Sequence, residues 1–154
     1  MLSNSARSTS AAESRFRVQA PNSLARDILV VALDERSSTL GGTLDTQSWR
    51  CAEFANFAMA APRGGEDWSV ILERHDFDLI VMVGTAGGDL SGAEAIGEKG
   101  VARGIKMASV LVSPQGTPPA VISECLLDLR PWSRTLALIS SADHLPGVLH
   151  ALGA

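Results

Sequence analysis

At 154 residues, 45% of them hydrophobic, the chain can bury the core of one domain without disulfides or metal. Its charge is split: residues 1–26 carry four arginines against one glutamate, a net +3, and residues 27–154 carry nine cations against sixteen carboxylates, a net −7. An acidic body argues against nucleic acid as the main partner, because neutralising phosphates takes clustered Lys and Arg.

The first stretch, "MLSNSARSTSAAESRFRVQAPNSLAR", is polar and rich in Ser, Ala and Arg. It reads as a disordered tail over residues 1–26, outside an α/β domain at 27–154. The same composition suits an organellar transit peptide, so both a cytoplasmic and an organellar location stay open. No apolar run approaches the ~18 residues of a membrane span, which predicts no membrane partner.

"DILVVAL" at 27–33 is a continuous Val, Ile and Leu run, the pattern of a strand covered on both faces. Three more follow: "DLIVMVG" at 78–84, "MASVLVS" at 107–113 and "TLALIS" at 135–140. "DTQSWRCAEFANFAMAAP" reads as a helix with Asp45 and Thr46 as candidate N-caps, and "EDWSVILERH" as a shorter one. "SGAEAIGEKGVARG" is expected to be helical from near Ser91 to a stop at Gly104, "PPAVISECLLDLRPWS" to end at Pro131, and "SADHLPGVLHALG" to close the chain. Strands alternating with helices predict a single doubly wound, mainly parallel, Rossmann-like sheet. Cys51 and Cys125 lie in apolar stretches, not in a C-x-x-C pair, as buried thiols in a reducing compartment do.

The second strand runs into "GTAGGDLSGAEAIGEKG". In such sheets ligands bind beyond the C-terminal strand ends, where glycines admit close backbone approach and a helix N-terminus offers unpaired N–H groups. Gly84, Thr85, Gly87, Gly88, Ser91 and Gly92 are therefore the candidate ligand-binding residues. Neither G-x-G-x-x-G nor G-x-x-x-x-G-K-[ST] is present, and a tight turn needing positive φ explains the glycines equally. His75, His144 and His150 lack partners at metal-ligand spacing, Ser141, Asp143 and His144 lie too close together to form a relay, and there is no G-x-S-x-G elbow, so neither a metal ligand nor a catalytic residue is predicted.

"DLIVMVGTAGGDLSGAEAI" resembles the strand and glycine loop of the FtsZ and tubulin family, whose signature G-G-G-T-G-[ST]-G wraps the phosphates of GTP. Gly87, Gly88, Ser91 and Gly92 match that signature, while Ala86, Asp89 and Leu90 replace a glycine, the threonine and a glycine. "VLVSPQG" stands at the family's next strand and turn, and "CLLDLRPWSRTLALISSADHL" is similar to its "GLxxLRxxVDTLIVIPNDxLL" through Leu126, Leu129, Arg130, Thr135, Leu136, Ile139 and Asp143. The resemblance covers about residues 78–146. It implies a nucleotide-binding half-domain with guanine nucleotide as ligand and self-association as a habit.

The departures point away from GTP hydrolysis. Asp34 and Glu35 follow the first strand where the family has glycines, and Asp89 puts a further charge in the turn. The sequence given stops at Ala154, short of the family's long helix and acidic activating loop. The expectation is a non-hydrolysing binding or assembly module for a phosphate-bearing small molecule. Two alternatives stand beside it. One is a small cofactor-handling enzyme, since "DLIVMVGTAGG" also looks like the "DLVITTGG" loop of molybdopterin-binding proteins. The other is a ligand-free protein–protein interaction domain.

Overall fold

The computed structural model describes residues 25–45, 49–57 and 67–154. The residues expected to form the tail lie, up to 24, outside these. Arg26 belongs to the folded body, since its backbone N–H donates to the Gly153 carbonyl at 3.1 Å.

Five parallel strands form one sheet: β1 (Ile28–Ala32), β2 (Ala52–Asn56), β3 (Leu79–Thr85), β4 (Lys106–Val112) and β5 (Thr135–Ile139), in the order β2-β1-β3-β4-β5. β1 and β3 are buried at every position, and β4 at all but Lys106. Burial on both faces is why these segments read as unbroken apolar runs. Odd residues of β1, such as Leu29 and Val31, share one core with Ile80, Met82, Met107 and Leu111; Ile28 and Val30 share the other with Val81, Val83, Val110 and Val112.

Each core is closed by its own helices. α2 (Trp68–Arg74), α3 (Gly92–Ala102) and α4 (Pro119–Leu129) cover the first with Ile71, Leu72, Ile96 and Leu129. α1 (Glu35–Asp45) and α5 (Leu145–Leu152) cover the second with Leu44, Leu145 and Leu149. The fold is thus a doubly wound, Rossmann-like α/β sheet. Among the described residues, no helix is long and apolar enough to cross a membrane. Cys51 is half-buried, Cys125 is buried, and both are free thiols.

Two expectations between the first and third strands are corrected. The loop that the resemblance implies after the first strand is not formed: "DERSSTLGG" is helical from Glu35 on, as part of Glu35–Asp45. The helix expected over 45–62 is not formed where it is described: Asp45 ends α1, residues 49–51 are irregular and Ala52–Asn56 is strand β2; residues 46–48 and 58–66 lie outside the described residues. β2 is an edge strand whose one strand partner among the described residues is β1, with a single further bridge from Asn56 to Asp67, so its sequence "AEFAN" mixes polar and apolar residues and carries no buried-strand signature. Its alternation survives in three dimensions: Phe54 packs into one core, Ala55 and Phe57 border the other.

Candidate functional site

In a 2-1-3-4-5 sheet the chain leaves β1 toward one edge and returns to β3 on the other side, so the loops after β1 and β3 diverge and open a crevice between them. The residues at that point are Leu33 and Asp34 on one side and Thr85 to Ser91 on the other.

Asp34 is only 7% exposed and turns its carboxylate inward. Oδ1 accepts from the backbone N–H of Ser37 at 2.7 Å, and Oδ2 from the backbone N–H of Thr85 at 2.7 Å. The Thr85 hydroxyl approaches Oδ1 at 3.4 Å. In return, the Ser37 hydroxyl accepts the Asp34 N–H at 3.1 Å and donates to the Asp34 carbonyl at 3.0 Å. This is a reciprocal cap: one side chain satisfies an orphan donor of the α1 first turn while fastening that turn to the end of β3. It also explains how a segment as poor in helix formers as Ser-Ser-Thr-Leu-Gly-Gly begins a helix.

The glycine turn is built on the same anchor. Gly88 N–H donates to the Thr85 carbonyl at 2.8 Å, closing a four-residue turn whose third residue, Gly87, has φ +81°. A Cβ on Gly88 would fall on the Asp34 carboxylate, so the turn lies directly against it. Asp89 is exposed, and its Oδ1 accepts from the Ser91 N–H at 3.0 Å. Hydrogen bonds from Ser91, hydroxyl first and backbone second, hold the Asp89 carboxyl below the ordinary carboxylate value. It therefore stays charged throughout the neutral and mildly acidic range. Ser91 occupies the N-cap position of α3 without a side-chain capping bond.

The six candidate residues fall into two groups. Gly87, Gly88 and Ser91 reach the surface of the turn, and of these Gly87 and Ser91 are exposed. Gly84, Thr85 and Gly92 are buried. Gly84 faces Leu90, where a Cβ would collide with its side chain, and Gly92 opens α3 directly beneath the Phe57 ring. The N–H of Thr85 is already taken by Asp34. Asp34 and Ser37 are the residues that sequence reasoning did not place in this role: Asp34 was expected to face a ligand as a repulsive charge. The available signal was a short one, an Asp straight after a buried strand with Ser three residues on, which is the spacing of a capping box.

The loops 33–34, 85–91, 113–118 and 140–144 contain no Lys or Arg. An anionic group bound at this edge through those loops would be held by backbone N–H groups and hydroxyls, with Asp89 opposing it. Among the described residues, no group of three His, Cys, Asp or Glu side chains could hold a metal ion. No protein-family model matches the chain, and no curated protein matches it.

Proposed function

We propose that the chain is a non-hydrolysing, FtsZ-like binding module that takes a phosphate-bearing small molecule, with guanine nucleotide the first candidate, at the Gly84–Gly92 turn. The observation that carries this reading is the place of the turn: it forms one wall of the switch-point crevice of a parallel sheet, followed by the N-terminus of α3. Gly87, Gly88 and Ser91 would meet the ligand, while Thr85, Gly84 and Gly92 would hold the turn's shape from below.

Asp89→Thr is expected to tighten binding of GDP or GTP by roughly threefold to tenfold, the scale of one solvent-screened like charge. Calorimetric titration at fixed salt and magnesium measures this, and unchanged or weaker affinity counts against the site. GTP turnover is expected to stay at the level of buffer even in concentrated protein. Phosphoryl transfer depends on positioning and on positive charge at the γ-phosphate, and the four loops of this edge supply no cation. Phosphate release that rises with protein concentration and disappears in Gly88→Val would make the chain an enzyme instead.

A ligand-free interaction domain, able to self-associate, is the second reading. It is favoured by the packing of Gly84 on Leu90, Gly88 on Asp34 and Gly92 on Phe57, which accounts for three of the glycines without any ligand. Native mass spectrometry of protein purified without added nucleotide separates the two: a bound phosphate compound supports the first, and a mass of polypeptide alone at every concentration supports the second.

A further inference from the structure

The opposite edge of the sheet, at the N-terminal strand ends, carries a groove that the switch-point site does not use. Two clefts of about 620 and 490 Å³, both open to solvent, adjoin along Gly104, Ile105 and Lys106, which line each of them. The first is lined by Arg26, Arg103 and Lys106, together with Phe77, Asp76 and Asp78. The second has Lys106 and Arg134 around Trp132 and Met107, and no carboxylate in its lining.

The charge of this groove runs against that of the body. Residues 27–154 are net −7, yet three of their nine cations, Arg103, Lys106 and Arg134, line it, joined by Arg26. Lys106 and Arg134 are exposed, and among the described residues neither has an ion-pair partner. Arg103 is held at the wall by donating to the Leu72 carbonyl, and Asp78 is spent in part on the Asp27 N–H at 3.1 Å. Trp132 is fixed from behind, its indole lying on Gly97 of α3.

Shape narrows the occupant. From β1 to β5 the groove crosses three interstrand spacings, about 14 Å, the length of four or five residues of extended chain. Small molecules are bound in enclosed pockets that cover most of their surface, whereas this groove is open along its length. A nucleic acid would bring a continuous line of phosphates past Asp76 and Asp78 and over an acidic body. A peptide can place carboxylates only where the cations are and set an apolar side chain between them.

We propose that this groove docks an acidic segment of a partner protein, with its carboxylates on Lys106 and Arg134 and an intervening apolar side chain against Trp132 and Ile105. The site is independent of the switch-point crevice. A fluorescein-labelled hexapeptide alternating glutamate and leucine, titrated with the full chain and followed by anisotropy, is expected to bind saturably. The double variant Lys106→Glu, Arg134→Glu is expected to weaken it by about tenfold or more, and rising salt to weaken it progressively. Both residues are exposed, so an unchanged circular dichroism spectrum and thermal midpoint confirm that the double variant is folded. Replacing glutamate by glutamine in the peptide is expected to give a comparable loss. Absence of saturation, equal binding by the double variant, equal binding of the glutamine peptide, or tighter binding of oligothymidylate than of the peptide would each overturn the proposal. Asp89→Thr is expected to leave peptide binding unchanged, so failure here and failure of the nucleotide reading are told apart.

Discussion

Asp34→Ala is expected to lower the unfolding free energy by about 2–4 kcal/mol, the sum of a lost helix cap and a buried donor left unpaired. The alanine removes the acceptor for Ser37 N–H in the first turn of α1 and for Thr85 N–H at the end of β3, both 2.7 Å from the carboxylate. Thr85 is 5% exposed, so water cannot take over its bond without opening the loop. Asp34→Asn should recover little. An amide offers one oxygen where two N–H groups converge, and its NH₂ would face the other donor. Ser37→Ala, which removes the reciprocal bonds to Asp34, should cost about 1 kcal/mol. Urea unfolding with unchanged m-values checks the series, and a loss under about 0.5 kcal/mol for Asp34→Ala would show that these hydrogen bonds carry no net stability. Because Asp34 and Thr85 are the facing walls of the crevice, the same variant loosens the floor on which the glycine turn rests.

The second large effect lies in α3. Gly97 is expected to resist substitution although it sits mid-helix, where alanine would ordinarily stabilise by about 1 kcal/mol. A Cβ there would enter the Trp132 indole at its ring-fusion carbon, a rigid plane with no flexible end to swing aside. Gly97→Ala should therefore destabilise by about 1–3 kcal/mol, and Gly97→Val by more, as overpacked cores do. In a Trp132→Ala background the sign should reverse, with Gly97→Ala then stabilising by up to about 1 kcal/mol through helix propensity alone. A double-mutant cycle on thermal or urea unfolding reads the reversal directly. Additive effects in the cycle would mean that the glycine is not there for the ring. Gly92 beneath the Phe57 ring follows the same logic, whereas Gly100 faces the flexible thioether of Met107, which can give way, so substitution there should cost less.

Local pattern and tertiary burial agree in the parts of the fold that can be read directly from the amino-acid order. Strands β1, β3 and β4 are enclosed on both faces, and burial of that kind demands the uninterrupted Val, Ile, Leu and Met runs that can be read directly. β5 kept such a run although it lies at an edge, because Ala137 and Ile139 still border one core and Leu136 the other. Proline and glycine marked the starts of α4 and α5 and the stop at Gly104, where φ is +70°. The identity of the β3–α3 loop as a glycine turn at a C-terminal strand end was legible for the same reason.

Only the tertiary structure decided the rest. "AEFAN" became a strand because β1 offered it a free edge, a partner 24 residues away that no local periodicity encodes. Ser-Ser-Thr-Leu-Gly-Gly became helical because Asp34 caps its first turn and Leu44 is drawn into a core. Whether Asp34 faced a ligand or the protein depended on Thr85, 51 residues later, whose N–H supplies a buried bond that solvent could not match. The glycines of the turn and of α3 looked alike in sequence, and they differ in what requires each one: a positive φ at Gly87, a carboxylate against Gly88, aromatic rings against Gly92 and Gly97. The neighbours of the last three, Asp34, Phe57 and Trp132, arrive from the segments that follow β1, β2 and α4, so the reason for those glycines exists only once the sheet has brought them together.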